Sequence, residues 1–109
     1  MEAKLAIDAL AALAQEHRLA VFRYLIQRGA DGAIAGDIAI EVALPPSSLS
    51  FHLAHLTRAG LIVRRRFGRS LNYSVDYAVM GDLMTYLTEN CCGGEFCLTS
   101  NSLGLGAAA

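Results

Sequence analysis

The chain has 109 residues, 54% of them hydrophobic, and a formal net charge of −1. That length sets a single domain, and no apolar run reaches the roughly eighteen residues a membrane-spanning helix needs. So apolar a composition in one small domain implies surface hidden in a partner, most simply a second copy of the chain.

From Ala3 to Ala14, apolar residues recur at helical spacing (Leu5, Ala6, Ala9, Leu10, Leu13), which predicts an amphipathic first helix. Glu2 and Asp8 interrupt this apolar start, which reads against a signal peptide and for a cytoplasmic protein. A second helix follows over "EHRLAVFRYLIQRG", with Leu19, Phe22, Leu25 and Ile26 as its core stripe and Gly29 as its stop. "GADGAIAG" reads as a glycine-rich loop. A short third helix, Ala35 to Val42, buries Ile38 and Val42. "LPPSS" then opens a fourth helix near Pro46 or Ser47, with serine as the cap. It ends at about Ala59, before Gly60. Leu49, Leu53 and Leu56 form its inward stripe. Ser47, Ser48, Ser50, Phe51, His55 and Arg58 face elsewhere.

The period then changes. Leu61–Arg66 and Leu71–Val75 are β-compatible runs around "FGRS", hence a hairpin. Asp76 caps a last helix, Tyr77 to Asn90, with Val79, Met80, Leu83, Met84 and Leu87 apolar. Residues 98–109 show no consistent period and read as a flexible tail beyond a 1–97 domain. The expected fold is therefore mainly α with a small β-hairpin. Two short helices, a tight turn, a third helix and a two-stranded ribbon make a winged helix-turn-helix.

Charge supports a nucleic-acid partner. Between Ala43 and Val75 stand Arg58, Arg64, Arg65, Arg66 and Arg69, with no acidic residue. A local basic face is a footprint for phosphate that the near-neutral total conceals. A helix in a major groove needs small or hydrogen-bonding residues at its N-terminal end, and Ser47, Ser48 and Ser50 fit. Phe51 suits contact with a thymine methyl, and the helix N-terminus itself favours phosphate. The hairpin arginines would lie along the DNA backbone or reach a minor groove, and His55 would touch a phosphate. His52, beside the leucine stripe, reads as a packing residue, and His17 as structural. No base is spaced against a nucleophile and no loop cradles phosphate, so nothing points to an enzyme. Taken singly, serines after prolines are often caps and an arginine run is usually a solvated face. Their coincidence in one acid-free window carries the DNA reading.

"LAALAQEHRLAVFRYL", "PPSSLSFHLAHLTRAGLIVRRRFGRSLNYSV" and "ENCCGG" together resemble the ArsR/SmtB family of bacterial metal-responsive repressors, and most of all arsenic-resistance repressors with a C-terminal cysteine pair. The resemblance spans about residues 3–97. It implies a homodimeric repressor, paired through its first and last helices, that leaves operator DNA when metalloid binds. Two sensing sites of other members have no counterpart here. Ala35–Val42 lacks the cysteines of a third-helix site, and Asp76 and Asp82 have no nearby histidine to complete a last-helix zinc site.

The chain's three cysteines, Cys91, Cys92 and Cys97, fall within one short segment. In a reducing compartment such clusters bind metal or do redox chemistry more often than they form structural disulfides. Thiolates select soft or thiophilic ions. Structural zinc wants four ligands, whereas trivalent arsenic or antimony bonds three sulfurs and keeps a lone pair in the remaining direction. As(III) or Sb(III) is therefore the expected inducer, with no catalytic cofactor. A redox sensor, a soft divalent-metal sensor, and a thiol-rich metal-handling or interaction module that never meets DNA are the competing readings.

Overall fold

The computed structural model describes residues 1–94. Cys97 and the tail at 98–109 lie outside the described residues, as does the side chain of Cys92. The elements in order are α1 (Ala3–Leu13), α2 (Glu16–Arg28), a single 3-10 turn (Gly29–Asp31), β1 (Ala33–Ile34), α3 (Ala35–Val42), α4 (Pro46–Arg58), β2 (Ile62–Phe67), β3 (Ser70–Val75), α5 (Tyr77–Thr88) and the one-turn α6 (Cys91–Gly94). No helix among the described residues is long and apolar enough to cross a membrane.

The helices start and stop for local reasons. The Gln15 side chain accepts hydrogen bonds from the backbone N–H groups of His17 and Arg18, both at 2.9 Å, and so caps α2. Gly29, at φ +70°, ends it. Inside α2 the buried residues are Val21, Phe22 and Leu25, with Ile26 half-buried. Leu19, expected in the core stripe, is exposed instead. It sits two residues, or about 200° of helix rotation, from Val21, and packing against α4 and the sheet chose the face that Val21 and Leu25 share.

α3 has the expected bounds, with Ile38 buried and Val42 half-buried. It closes with Ala43 in the left-handed region (φ 56°), the Leu44 N–H donating to the Ala39 carbonyl and the Ala43 N–H to the Ile40 carbonyl. That pair of bonds is the Schellman arrangement, and it makes the tight turn into α4. The α4 cap is Pro45, not a serine. Ser47 and Ser48 lie within the first turn, and no side chain caps it. Proline at the first helical position has no N–H to satisfy, which removes part of the need for a serine cap. Leu49, Leu53 and Leu56 are buried as expected, and Gly60 (φ +82°) ends the helix.

The glycine-rich segment is not all loop. Its Ala33 and Ile34 form β1, which pairs antiparallel with β3 (Ala33 with Tyr73, Ile34 with Asn72). The hairpin pairs Ile62 with Val75 through Phe67 with Ser70, so the sheet order is β1-β3-β2. Asp76 caps α5 by accepting from the Val79 N–H at 3.2 Å. α5 stops at Thr88, short of the expected Asn90, because Glu89 is extended and Asn90 takes φ +59°. The Tyr77 hydroxyl donates to the Ile26 carbonyl and ties the start of α5 to the end of α2.

One core joins these elements. It contains Ala6, Ala9 and Ala12 of α1, the α2 and α4 stripes, Ile38, Leu61, Ile62, Tyr73, Val75 and Leu83. Of the larger apolar residues of α1, Leu13 packs against this core, whereas Leu5, Ile7 and Leu10 are exposed, as are Met84 and Leu87 of α5.

Candidate nucleic-acid interface

Burying the leucine stripe of α4 forces its opposite face outward. Ser47, Ser48, Ser50 and Arg58 are exposed there, and Phe51 is 62% exposed. Helical spacing puts Ser47, Ser50, Phe51 and Ala54 on neighbouring turns of one surface. His55 is half-buried rather than fully exposed, since it flanks a hollow that α4 shares with Asp8 and Ala11 of α1. The acid-free window of the sequence therefore has an acidic neighbour in space. Asp8 also pairs with Lys4 at 3.3 Å.

The hairpin divides the arginines. Arg64, Arg65 and Arg66 are consecutive on β2, and strand alternation sends Arg64 and Arg66 to one face and Arg65 to the other. Arg64 lines a hollow with Ser50, Ala54, Thr57 and Arg58, so the structure brings it to the serine face of α4. Arg65 lines a separate hollow with Ala30, Val63 and the start of α5. Arg69 sits in the two-residue turn with Gly68, beside the exposed Phe67. All four arginines are exposed.

The histidines form a cluster that no sequence spacing revealed. His17 and His52 have ring centroids 5.6 Å apart, and the Phe51 ring meets His52 edge-on at 5.5 Å. Arg18 brings a terminal guanidinium nitrogen to 3.4 Å from His52 Nδ1. Burial, and then the charges of Arg18, His17 and His55, hold the His52 imidazole below its ordinary pKa. His55 is lowered too, by burial and by Arg18 and Arg58. His52 is thus the packing residue expected. Arg18 was not singled out by sequence reasoning, because its partner lies thirty-four positions away.

Comparison with known proteins places this architecture. A helix-turn-helix domain family matches residues 13–65. HlyU from Vibrio cholerae N16961 is 30% identical, with 80% of this chain and 97% of that one covered at a TM-score of 0.63. The homodimeric winged helix-turn-helix domain of Mb0332 from Mycobacterium bovis, a possible ArsR-family regulator, is 23% identical, covering 80% and 81% at TM-score 0.63. The chain belongs to the ArsR family of winged-helix transcriptional regulators. The AntR antimony-specific transcriptional repressor is a further neighbour of this ArsR-family protein, at 25% identity, 79% and 77% coverage and TM-score 0.62. No curated protein sequence matches the chain.

The thiol segment of this ArsR-family chain is described only in part. Cys91 begins α6 and is half-buried. Among the described residues no group of three histidine, cysteine or acidic side chains is placed to hold a metal ion. α3 carries no cysteine, α5 carries no histidine, and Asp76 is used as the α5 cap.

Proposed function

We propose that this ArsR-family protein is a homodimeric repressor that releases operator DNA when trivalent arsenic or antimony is bound by Cys91, Cys92 and Cys97. The α4 face (Ser47, Ser48, Ser50, Phe51, His55, Arg58) reads the major groove, and Arg64, Arg66 and Arg69 hold the phosphate backbone, with Arg65 turned to the opposite sheet face. Arg64 beside Ser50 and Arg58 supports a continuous basic surface. The observation that carries the inducer reading is three soft donors gathered directly after α5, whose Met84 and Leu87 are left exposed for pairing. The antimony specificity of the AntR repressor agrees with it.

The chemistry balances without an oxidant or reductant. Arsenous acid and three thiols give one tris-thiolate arsenic and three waters, with each thiol proton leaving on a departing hydroxide. Soft sulfur donors suit this ion, and three of them leave no ligand missing. Gly93, in the left-handed region at φ +71°, turns the chain just after the adjacent pair. Binding and release are reciprocal: whatever factor arsenite takes from DNA affinity, DNA must take from arsenite affinity.

The test is fluorescence anisotropy with a labelled duplex that the protein itself has selected from a random-sequence pool. Arsenite is expected to weaken binding by about tenfold or more, a typical coupling size, and Cys91→Ser to remove the response. X-ray absorption on the arsenic-loaded protein is expected to count three sulfur neighbours. Fewer sulfurs, or release by peroxide alone, would move the assignment to a redox or divalent-metal sensor.

A further inference from the structure

Arg18 holds together parts of the molecule that have separate tasks. It sits in the first turn of α2 and is half-buried. Its Nε donates to the Ala12 carbonyl at 2.7 Å. Ala12 belongs to the last turn of α1, where carbonyls have no partner within the helix and where the dipole favours a cation. A terminal nitrogen of the same guanidinium lies 3.4 Å from Nδ1 of His52, on α4. Among the described residues the ion pairs are Lys4 with Asp8 and Glu16 with His17, and neither involves Arg18. Its charge is thus balanced by the end of α1 and by an imidazole, with no carboxylate in the arrangement.

Guanidinium nitrogens only donate, so the His52 contact requires a lone pair on Nδ1. A protonated imidazole has none, and it would set a second positive charge against the first. We infer that Arg18 is the positioning residue of the reading helix: with neutral His52 it fixes α4 against the end of α1, and protonating His52 releases that constraint. The inference rests on the reading that α4 is the element set into duplex DNA. α1 carries the exposed Ile7 and Leu10. The strut therefore runs from the surface proposed for pairing to the surface proposed for reading, and the angle between two α4 helices depends on it. The other ionisable groups around His52 are His17 and Glu16 of α2, His55 and Arg58 of α4, and Asp8 of α1, which shares a hollow with His55.

The direction of the pH effect separates this role from simple charge attraction. A histidine that only met phosphate would bind DNA more tightly on acidification. Release of a positioning contact weakens binding as the pH falls below the ordinary histidine value. The test uses the full-length reduced dimer and a labelled duplex selected by the wild-type protein from a random pool, with anisotropy at about pH 7.5 and, well below the ordinary histidine value, about pH 5.0 at fixed salt. Wild-type affinity is expected to fall about tenfold between the two, the size of one lost hydrogen bond to a charged group. His52→Asn keeps an acceptor where Nδ1 stood and cannot be protonated, so its affinity should change less than twofold. His17→Gln should retain the wild-type fall. Arg18→Met should lose about tenfold at pH 7.5 and become insensitive to pH, with circular dichroism confirming the folded helix content at both values. Unchanged or tighter wild-type binding at about pH 5.0 overturns the inference, and so does a His52→Asn profile as steep as wild type. If no duplex is enriched from the pool, the reading of α4 itself fails, and that result is distinct from either.

Discussion

Gly32 admits one residue type for two separate reasons. Its φ of +63° and ψ of −154° lie in a region that only glycine occupies readily. A Cβ there would also run into the Tyr73 carbonyl and the Asn72 side chain across the β1–β3 pairing. Gly29 has nearly the same dihedrals (φ 70°, ψ −152°) and nothing within 4 Å of the same virtual atom. The pair therefore separates strain from collision. Gly29→Ala is expected to cost about 1–3 kcal/mol, the usual range for a residue forced into that region. Gly32→Ala is expected to cost about 4 kcal/mol or more, because the colliding atom is backbone and cannot swing aside. Urea unfolding of both variants checks the difference, and equal losses would show that β1 yields easily. None of this was legible in "GADGAIAG", where three glycines look alike until β3 arrives beside one of them.

At the scale of elements, the arginine run is where pattern and structure part most usefully. "RRR" on a strand is one cluster in sequence and two faces in space, since pleating alternates the side chains. Arg64 stands with Ser50 and Arg58, whereas Arg65 stands beside Ala30 and the start of α5. Each arginine that displaces a counterion contributes about 0.9 to the slope of log affinity against log salt. Replacing Arg64 and Arg66 together by alanine in each chain is expected to lower that slope by close to two per protomer, and replacing Arg65 alone by less than half a unit. A salt titration of the DNA complex reads both numbers, and a larger effect from Arg65 would mean that the opposite sheet face meets the duplex. The α3 bounds, the α4 stripe and the hairpin were legible because Ile38, Leu49, Leu53 and Leu56 repeat at helical spacing and the β-compatible runs flank a glycine turn. β1 was not, since two residues give no period to detect. Leu19 was misplaced because an apolar helix with residues on several sides shows its true inward face only against its neighbours. Arg18 and His52 were invisible as a pair, since no local rule links α2 to α4.

For the whole molecule, the division of side chains on α1 decides what the chain must do with its surface. Alanines (Ala6, Ala9, Ala12) face the protomer's own core, which lets α1 lie close to α2 and α4. Ile7 and Leu10, one turn apart, stay exposed at 62% and 41%, and Met84 and Leu87 of α5, a helix in contact with α1, do the same at 59% and 56%. A helix built to stand alone in water would place these types the other way round. Covering one such side chain contributes about 1.5–3 kcal/mol, and a twofold dimer covers it twice. Leu10→Glu removes that contribution from both chains and sets two carboxylates into the contact. The dimer dissociation constant is therefore expected to rise at least a hundredfold, which about 2.7 kcal/mol produces. Sedimentation velocity across a dilution series would show monomer where the wild type remains paired. A monomer presents one α4 and half the arginines, so its DNA complex should lose both affinity and about half of the salt slope. Wild-type sedimentation for Leu10→Glu would place the pairing surface elsewhere. An intact dimer with a halved slope would instead mean that only one of its two readers reaches the duplex.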